Sequence, residues 1–160
     1  MIRSVYIDDA DAICRIYNHY VIDTIVTFEE KPVSTEEMRG RIQEVTESLP
    51  WFVYELDGNV VGYAYSFRWK ERSAYRFSVE SSIYIDKGFV HKGIGKKLYE
   101  ALILELRSLT LHCTVGSIAL PNPASVAFHE KMGFEKVAHF IEVGWKLNQW
   151  IDVGFWELIL

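Results

Sequence analysis

The sequence predicts a single α/β (α+β) domain over residues 1–160, with a central mixed, mostly antiparallel sheet flanked by helices. Three observations lead there. Two strand-like runs, Trp51 to Leu56 and Val60 to Phe67, are joined by Asp57-Gly58-Asn59; Gly58 and Asn59 tolerate the backbone of a tight turn, so an antiparallel hairpin is expected. A third run, Phe77 to Ile85, leads through the glycine-rich turn Gly88 to Lys96 into a long amphipathic helix and then a further strand. No repeat or low-complexity segment interrupts the chain, and hairpins mixed with one β-turn-helix-β unit argue against a fully parallel doubly wound sheet.

Taken in order, Ile2 to Tyr6 alternates as a first strand, and Asp8 or Asp9 is placed to cap the helix that follows. Ile13, Ile16, Tyr17 and Tyr20 share one face of that helix, with Cys14 beside them. Asp23 to Pro32, containing β-branched residues and Phe28, reads as an irregular or extended segment, and Ser34 with Glu37 forms a capping box for a second helix to about Val45. The connection Arg68 to Ala74 is polar, with Arg68, Lys70, Glu71 and Arg72 around Trp69. In the run Phe77 to Ile85, Val79, Ser81, Ile83 and Ile85 take one face and Glu80, Ser82 and Tyr84 the other. A charge at Glu80 in mid-strand calls for a reason. Leu98, Leu102 and Leu106, joined by Ile94, Tyr99, Ala101, Ile103 and Leu109, give a broad apolar helix face suited to covering a sheet. His112 to Ile118 is a strand, Ser125 to Met132 a short helix, Phe134 to Val143 a strand, and Ile151 to Leu160 a last strand rich in aromatics.

Composition narrows the function. A formal net charge of -5 argues against nonspecific nucleic-acid binding, which depends on neutralising phosphates. The two cysteines, Cys14 and Cys113, sit in apolar surroundings, as expected of buried thiols in a reducing, cytoplasmic setting. No cysteine cluster with metal-ligand spacing exists, so no metal is expected. The N-terminus lacks the pattern of a secretory signal and no apolar stretch reaches membrane-spanning length, so no membrane partner is expected either.

The turn in IYIDKGFVHKGIGKKLYEALILEL places Gly88, Gly93 and Gly95 between strand and helix. Glycines admit close backbone approach, and consecutive amides at a helix start can surround a phosphate, with Lys92, Lys96 and Lys97 adding positive charge. A compact helix start without a ligand is the competing reading. The sequence has no GxxxxGK[ST] loop, and Gly93-Ile94-Gly95 is followed by Lys96-Lys97-Leu98 rather than a dinucleotide fingerprint. A long anionic cofactor against the strand edge and helix start fits this context.

Ile83 to Lys97 resembles the acyl-CoA-binding motif of the GNAT superfamily of N-acetyltransferases, and the resemblance extends over essentially the whole chain. More closely, the chain is similar to the phosphinothricin and methionine sulfoximine acetyltransferases through TIVTFEEKPVS (Thr24 to Ser34), PWFV (Pro50 to Val53), WKERSAYRFSVESSIYI (Trp69 to Ile85), LPNPASVAFHEKMGF (Leu120 to Phe134) and WIDVGFWEL (Trp150 to Leu158). The resemblance implies the acyl-CoA N-acyltransferase fold, with acetyl-CoA as co-substrate. It places the backbone of Ile83, Tyr84 and Ile85 along the acetyl and pantetheine portion, the amides of His91, Lys92, Gly93, Ile94, Gly95 and Lys96 around the pyrophosphate, and Asn122 on the cofactor arm. One departure is Val90, where the superfamily usually has Gln or Arg; that polar side-chain contact is lost, leaving the site to backbone amides and nearby lysines.

An amine must lose a proton before it attacks a thioester, so a general base is required. The resemblance puts a catalytic Glu at Glu80, within the same VES context, acting directly or through water; a structural salt bridge to Arg68, Arg72 or Arg76 is the competing reading. His129 stands where many superfamily members carry a general-acid Tyr and the closer family a His, which implies a catalytic contribution; a packed or helix-capping histidine is the alternative. The relatives' acceptors are small amino-acid analogues pairing a carboxylate with a polar head. Lys70, Arg72 and Arg76 suit the anionic groups, while Phe28, Trp69 and Tyr75 suit the short aliphatic part. Direct transfer in a ternary complex and a homodimer are implied by the same resemblance. Another small amine or a protein N-terminus as acceptor, and a non-catalytic acetyl-CoA-binding module, are the alternatives.

Overall fold

The computed structural model describes residues 1–160. The chain runs through β1 (Ile2–Ser4), α1 (Ala10–Asp23), α2 (Thr35–Thr46), β2 (Trp51–Leu56), β3 (Asn59–Arg68), β4 (Ser78–Ile85), α3 (Ile94–Ser108), β5 (Cys113–Leu120) and α4 (Pro123–Lys131), ending in β6 (Glu135–Lys146) and β7 (Gln149–Ile159). The strands form one seven-stranded sheet in the order β1-β2-β3-β4-β5-β7-β6. Every neighbouring pair is antiparallel except β4 and β5. The expected mixed, mostly antiparallel sheet flanked by helices is therefore the fold.

Local chemistry accounts for most boundaries and corrects two of them. Ser34 Oγ accepts from the Glu37 amide at 3.1 Å, which opens α2 as the capping pattern implied. Asp9 precedes α1 but does not cap it with its side chain. Its carboxylate instead accepts from the Tyr6 amide at 2.7 Å and pairs with Arg3 at 2.8 Å, while Arg3 also reaches Glu55 at 2.8 Å. In the β2–β3 hairpin the left-handed residues are Asp57 (φ 49°) and Gly58 (φ 77°), and Asn59 already belongs to β3. A two-residue turn with positive φ at both positions matches the twist of antiparallel strands.

The sheet has a core on each face. Ile13, Ile16 and Tyr17 of α1 and Met38 of α2 pack on Val53, Tyr63 and Tyr84. On the other face Leu98, Leu102 and Leu106 of α3 are fully buried among Val61, Ala64, Val79 and Trp156, each contributing about 2 kcal/mol of apolar burial.

One irregularity positions everything that follows. The strands β4 and β5 are paired only at Ser78–Cys113, Val79–Thr114 and Glu80–Val115. Beyond Glu80, β4 stays bonded to β3 as far as Ile85, and β5 stays bonded to β7 as far as Leu120. The two strands therefore diverge, each holding one edge of backbone donors and acceptors open toward the other. The result is a wedge in the middle of the sheet, closed at Glu80 and open toward the Gly88–Lys96 turn.

Candidate active site

At the open end of the wedge lies a cavity of about 580 Å³ lined by Ile83, Ile85, His91, Gly93, Ile94, Gly95, Lys96 and Asn122 among others. The turn is shaped by local bonds: Asp86 accepts from the Gly88 amide at 2.9 Å through its side chain, and from the Phe89 amide at 2.8 Å through its carbonyl. His91 (φ 61°) and Gly93 (φ 75°) are both left-handed, and Gly93 is the N-cap of α3 without any side-chain cap. Such a turn converges amides into a concave anion-binding surface, and the first amides of α3 have no partner within the helix. The positive end of the helix dipole points the same way. A Cβ on Gly95 would stand 3.5 Å from Ile83 and 3.7 Å from Phe128, so any larger side chain there would occupy the floor of the cavity. Open strand edges, free amides and an uncapped helix start suit a long ligand carrying phosphates at one end.

Two residues expected at this cavity do not line it with their side chains. Tyr84 points to the opposite face, where its ring packs edge-on against Tyr17 at 5.1 Å, so only its backbone faces the wedge. Lys92 lies over the Phe89 ring at 4.5 Å. Lys96 does line the cavity, with its Nζ 3.5 Å from Glu100. Asn122 uses its Oδ1 to accept from the Ser125 amide at 3.1 Å, capping α4 and leaving its amide nitrogen for the cavity. Val90 also lines the cavity, so an apolar side chain stands where the superfamily usually has a polar one. Tyr20, Val26, Ser125, Phe128, Lys131 and Met132 also line the cavity, beyond the residues expected there. They come from α1, the segment after it, α4 and the residue that ends it, and local pattern carries no signal that these meet the turn.

At the closed end, Glu80 is the last β4 residue paired with β5. Its side chain lies on the face of α1 and α2, where Ser117 of β5 donates to its Oε1 at 2.6 Å. Burial pushes the Glu80 carboxyl above the usual carboxylate range, opposed by the Ser117 hydrogen bond and by the charge of Lys70. Glu80 makes no ion pair with Arg68, Arg72 or Arg76, so a salt bridge does not explain the charge in mid-strand. Replacing Ser117 by Ala removes a bond that favours the carboxylate. With Glu80 as the group that must be unprotonated, the acid limb of the kcat/KM profile is then expected to move to higher pH, with the loss of rate falling on the acid side. An unmoved limb would detach Ser117 from the reaction.

The residues expected around the acceptor divide into groups. Trp69 and Tyr75 meet edge to face at 5.3 Å, with Lys70 Nζ 5.4 Å from the Trp69 ring. Phe28 lies against Gly144 of β6. Arg72 is exposed, next to the short helical turn Ser73–Tyr75, and forms no ion pair. Arg76 departs from expectation: its guanidinium stacks at 4.5 Å on its neighbour Phe77 and donates to Ser73 O at 3.1 Å, holding the turn together. A second cavity of about 580 Å³ has Tyr65, Phe67, Arg68 and Glu71 in its wall. Phe67 is the cross-strand neighbour of Glu80.

His129 lies on the other side of the sheet from the Glu80 side chain, packed beside Tyr99 and Phe128. Val115 pairs with Glu80 and Ser117 bonds to it, so Gly116 between them faces the opposite way. His129 occupies the space left there, its Nε2 being 2.8 Å from where a Gly116 Cβ would be. Its Nδ1 donates to Ser125 O at 2.8 Å, leaving Nε2 to accept from the Tyr99 hydroxyl at 3.2 Å. The bonds continue through Ser81 Oγ, 2.7 Å from Tyr99, to Thr114. Burial lowers the pKa of His129 and favours the neutral ring that these bonds require. It anchors a buried chain that ends at Thr114, within the paired β4–β5 junction.

A wedge between parallel strands, an anion-binding turn at one end and a carboxylate at the other define an acyltransferase fold and site. The acetyltransferase (GNAT) domain family matches residues 2–154, and the chain belongs to that family. It is an N-acetyltransferase that uses acetyl-CoA. The phosphinothricin N-acetyltransferase of Streptomyces viridochromogenes is 35% identical over 98% of this chain and 85% of its own length. The L-methionine sulfoximine/L-methionine sulfone acetyltransferase of Salmonella typhimurium is 36% identical over 95% of this chain and 90% of its own. Among solved structures, a phosphinothricin acetyltransferase from Sinorhizobium meliloti in complex with acetyl-CoA superposes with a TM-score of 0.97 at 34% identity, covering 100% of this chain and 88% of that one.

Proposed function

We propose that this chain acetylates the α-amino group of small amino-acid-like acceptors of the methionine sulfoximine, methionine sulfone and phosphinothricin class. The observation that carries the reading is Glu80, partly desolvated and held by Ser117 where β4 and β5 separate, with Lys70 contributing positive charge to its surroundings. The named activities of the relatives support it. Acetyl-CoA, when bound, supplies an activated thioester carbonyl. The open edge of Ile83 to Ile85 offers backbone groups to align it, and the turn from His91 to Lys96 offers amides to its phosphates. Asn122 adds its amide nitrogen. Glu80 takes the proton of the ammonium, directly or through water, which frees the nitrogen to attack. Lys70 and Arg72 meet the acceptor's anionic groups, with Phe28, Trp69 and Tyr75 around its carbon chain; Arg76 contributes by holding the turn. His129 acts by fixing Tyr99.

A screen following CoA release tests this with methionine sulfoximine, methionine sulfone, phosphinothricin, ordinary amino acids, polyamines and a peptide N-terminus. Turnover of the first three is expected. Preference for a polyamine or a peptide would replace the acceptor class, and tight acetyl-CoA binding without any turnover would leave a binding module.

A homodimer is part of the reading. Strand β6 is the sheet edge and exposes Ile141 (77%), Val143 (59%) and Trp145 (50%), an apolar surface that a second copy would cover. Ile141→Glu is expected to shift the sedimenting species from dimer to monomer; a wild type that sediments as a monomer would refute the assembly. No helix is long and apolar enough to cross a membrane. A cytoplasmic setting is supported by the free, buried thiols of Cys14 and Cys113, and fractionation of the native host would test it.

A further inference from the structure

Lys146 is the only Lys, Arg, Asp or Glu buried in this chain, with 2% relative exposure. It forms no ion pair with any carboxylate. Its Nζ donates to Thr27 O at 2.6 Å and approaches Tyr20 O at 3.5 Å. Burying an ammonium is strongly unfavourable unless its hydrogens are bonded, so its presence calls for a role that an apolar residue would not fill. Burial also pushes it below the usual lysine range, opposed by Glu30 and Glu29.

What it grips is a segment without a ladder of its own. Residues 25–33 belong to no helix or strand and make no backbone–backbone hydrogen bond. Local side-chain bonds hold parts of it, including Tyr17 with Thr27 at 2.8 Å and Asn18 with Val33. The residues flanking Thr27 face different parts of the site. Val26 lines the acetyl-CoA cavity, which Tyr20 also lines. The Phe28 ring lies so close to Gly144 that a Cβ there would overlap it. Gly144 and Lys146 are also the only buried positions of β6, and both face this segment.

We propose that Lys146 is a positioning residue for the transfer: together with Gly144 it forms a seat on β6 that fixes Thr27, setting Val26 against the cofactor cavity and Phe28 beside the acceptor. The acceptor half of this inference rests on the function proposed above; the cofactor half does not. A seat of this kind sets how well both substrates are held without taking part in the chemistry. Gly144 leaves room for the ring, and the Lys146 ammonium supplies the hydrogen bond that the segment lacks in its own backbone.

The test uses the full chain with Lys146→Met, which keeps an unbranched side chain but removes the cation, and with Gly144→Ala, which displaces the Phe28 ring while leaving Lys146 in place. Acetyl-CoA affinity is measured by direct titration without acceptor, and acceptor KM and kcat by CoA release. Lys146→Met is expected to raise acceptor KM by about tenfold and the acetyl-CoA Kd by roughly threefold, with kcat at saturation within about twofold of wild type and an unmoved acid limb. Gly144→Ala should reproduce the rise in acceptor KM with a smaller change in acetyl-CoA Kd. Unchanged KM and Kd in both variants would overturn the proposal. So would a fall in kcat at unchanged KM, since that is the mark of fewer folded molecules. Should Lys146→Met fail to fold, Gly144→Ala decides the seat by the same split between KM and kcat. If the wild type acetylates no amine, the acceptor reading fails, while the acetyl-CoA titration of Lys146→Met still judges the seat.

Discussion

Glu80→Gln is expected to lower turnover at neutral pH by about 10²- to 10⁴-fold, the range associated with losing a positioned general base. The amide keeps the shape of the side chain and can still accept from Ser117, so the fold around the β4–β5 junction is preserved. What is lost is the ability to take a proton from the ammonium. The sign of the pH effect follows from the direction of the shift. Burial raises the Glu80 carboxyl above its usual range, so the basic form is lost as pH falls through that raised value and wild-type kcat/KM declines on the acid side. The Gln variant has no such limb. Its residual rate should follow the fraction of unprotonated amine and climb toward wild type in alkali. A variant that keeps both the wild-type rate and the wild-type acid limb would remove Glu80 from the chemistry.

The second large effect is expected from Gly95→Asp. Gly95 is in the first turn of α3, where an acidic side chain favours the helix through its dipole and Asp has better helix propensity than Gly. Folding stability should therefore hold. The same carboxylate would stand in the cavity lined by His91, Gly93 and Lys96, facing the phosphates. A like charge about 4 Å away in partly screened surroundings opposes binding by about 4 kcal/mol, so an acetyl-CoA Kd about 100- to 1,000-fold weaker is expected. Calorimetric titration alongside thermal unfolding separates the two quantities. Wild-type affinity in a folded variant would show that phosphates do not bind at this turn.

The parts of this molecule legible in its sequence are those set by neighbours along the chain. The glycine turn is local, and so are the Ser34 cap and the alternation that singled out Glu80. Ser117, which holds Glu80, lies 37 residues away, and the parallel register that joins them is set by α3 crossing the sheet. Tyr20 donates to Ile85 O at 2.5 Å across 65 residues, a contact for which periodicity has no signal. The placement of His129 depended on which way Gly116 faces. A glycine inside a strand marks a close approach, and Gly116 carries that signal in the sequence without naming its partner. Lys146 lies beyond the strand expected to end at Val143, and β6 continues to carry it against Thr27.

The short parallel junction has a mechanical consequence. The sheet amounts to two subassemblies, β1-β2-β3-β4 and β5-β7-β6, that share only Ser78 to Glu80 as a common ladder. A ligand spanning the gap joins them and, because it favours the folded form, raises the melting temperature with its concentration. Glu80 terminates the shared ladder, and the α3 core that includes Val79 and Trp156 ties the two halves together on one face. Glu80, the proposed proton acceptor, therefore sits at the paired end of the wedge, and the turn proposed to hold acetyl-CoA lies at its unpaired end.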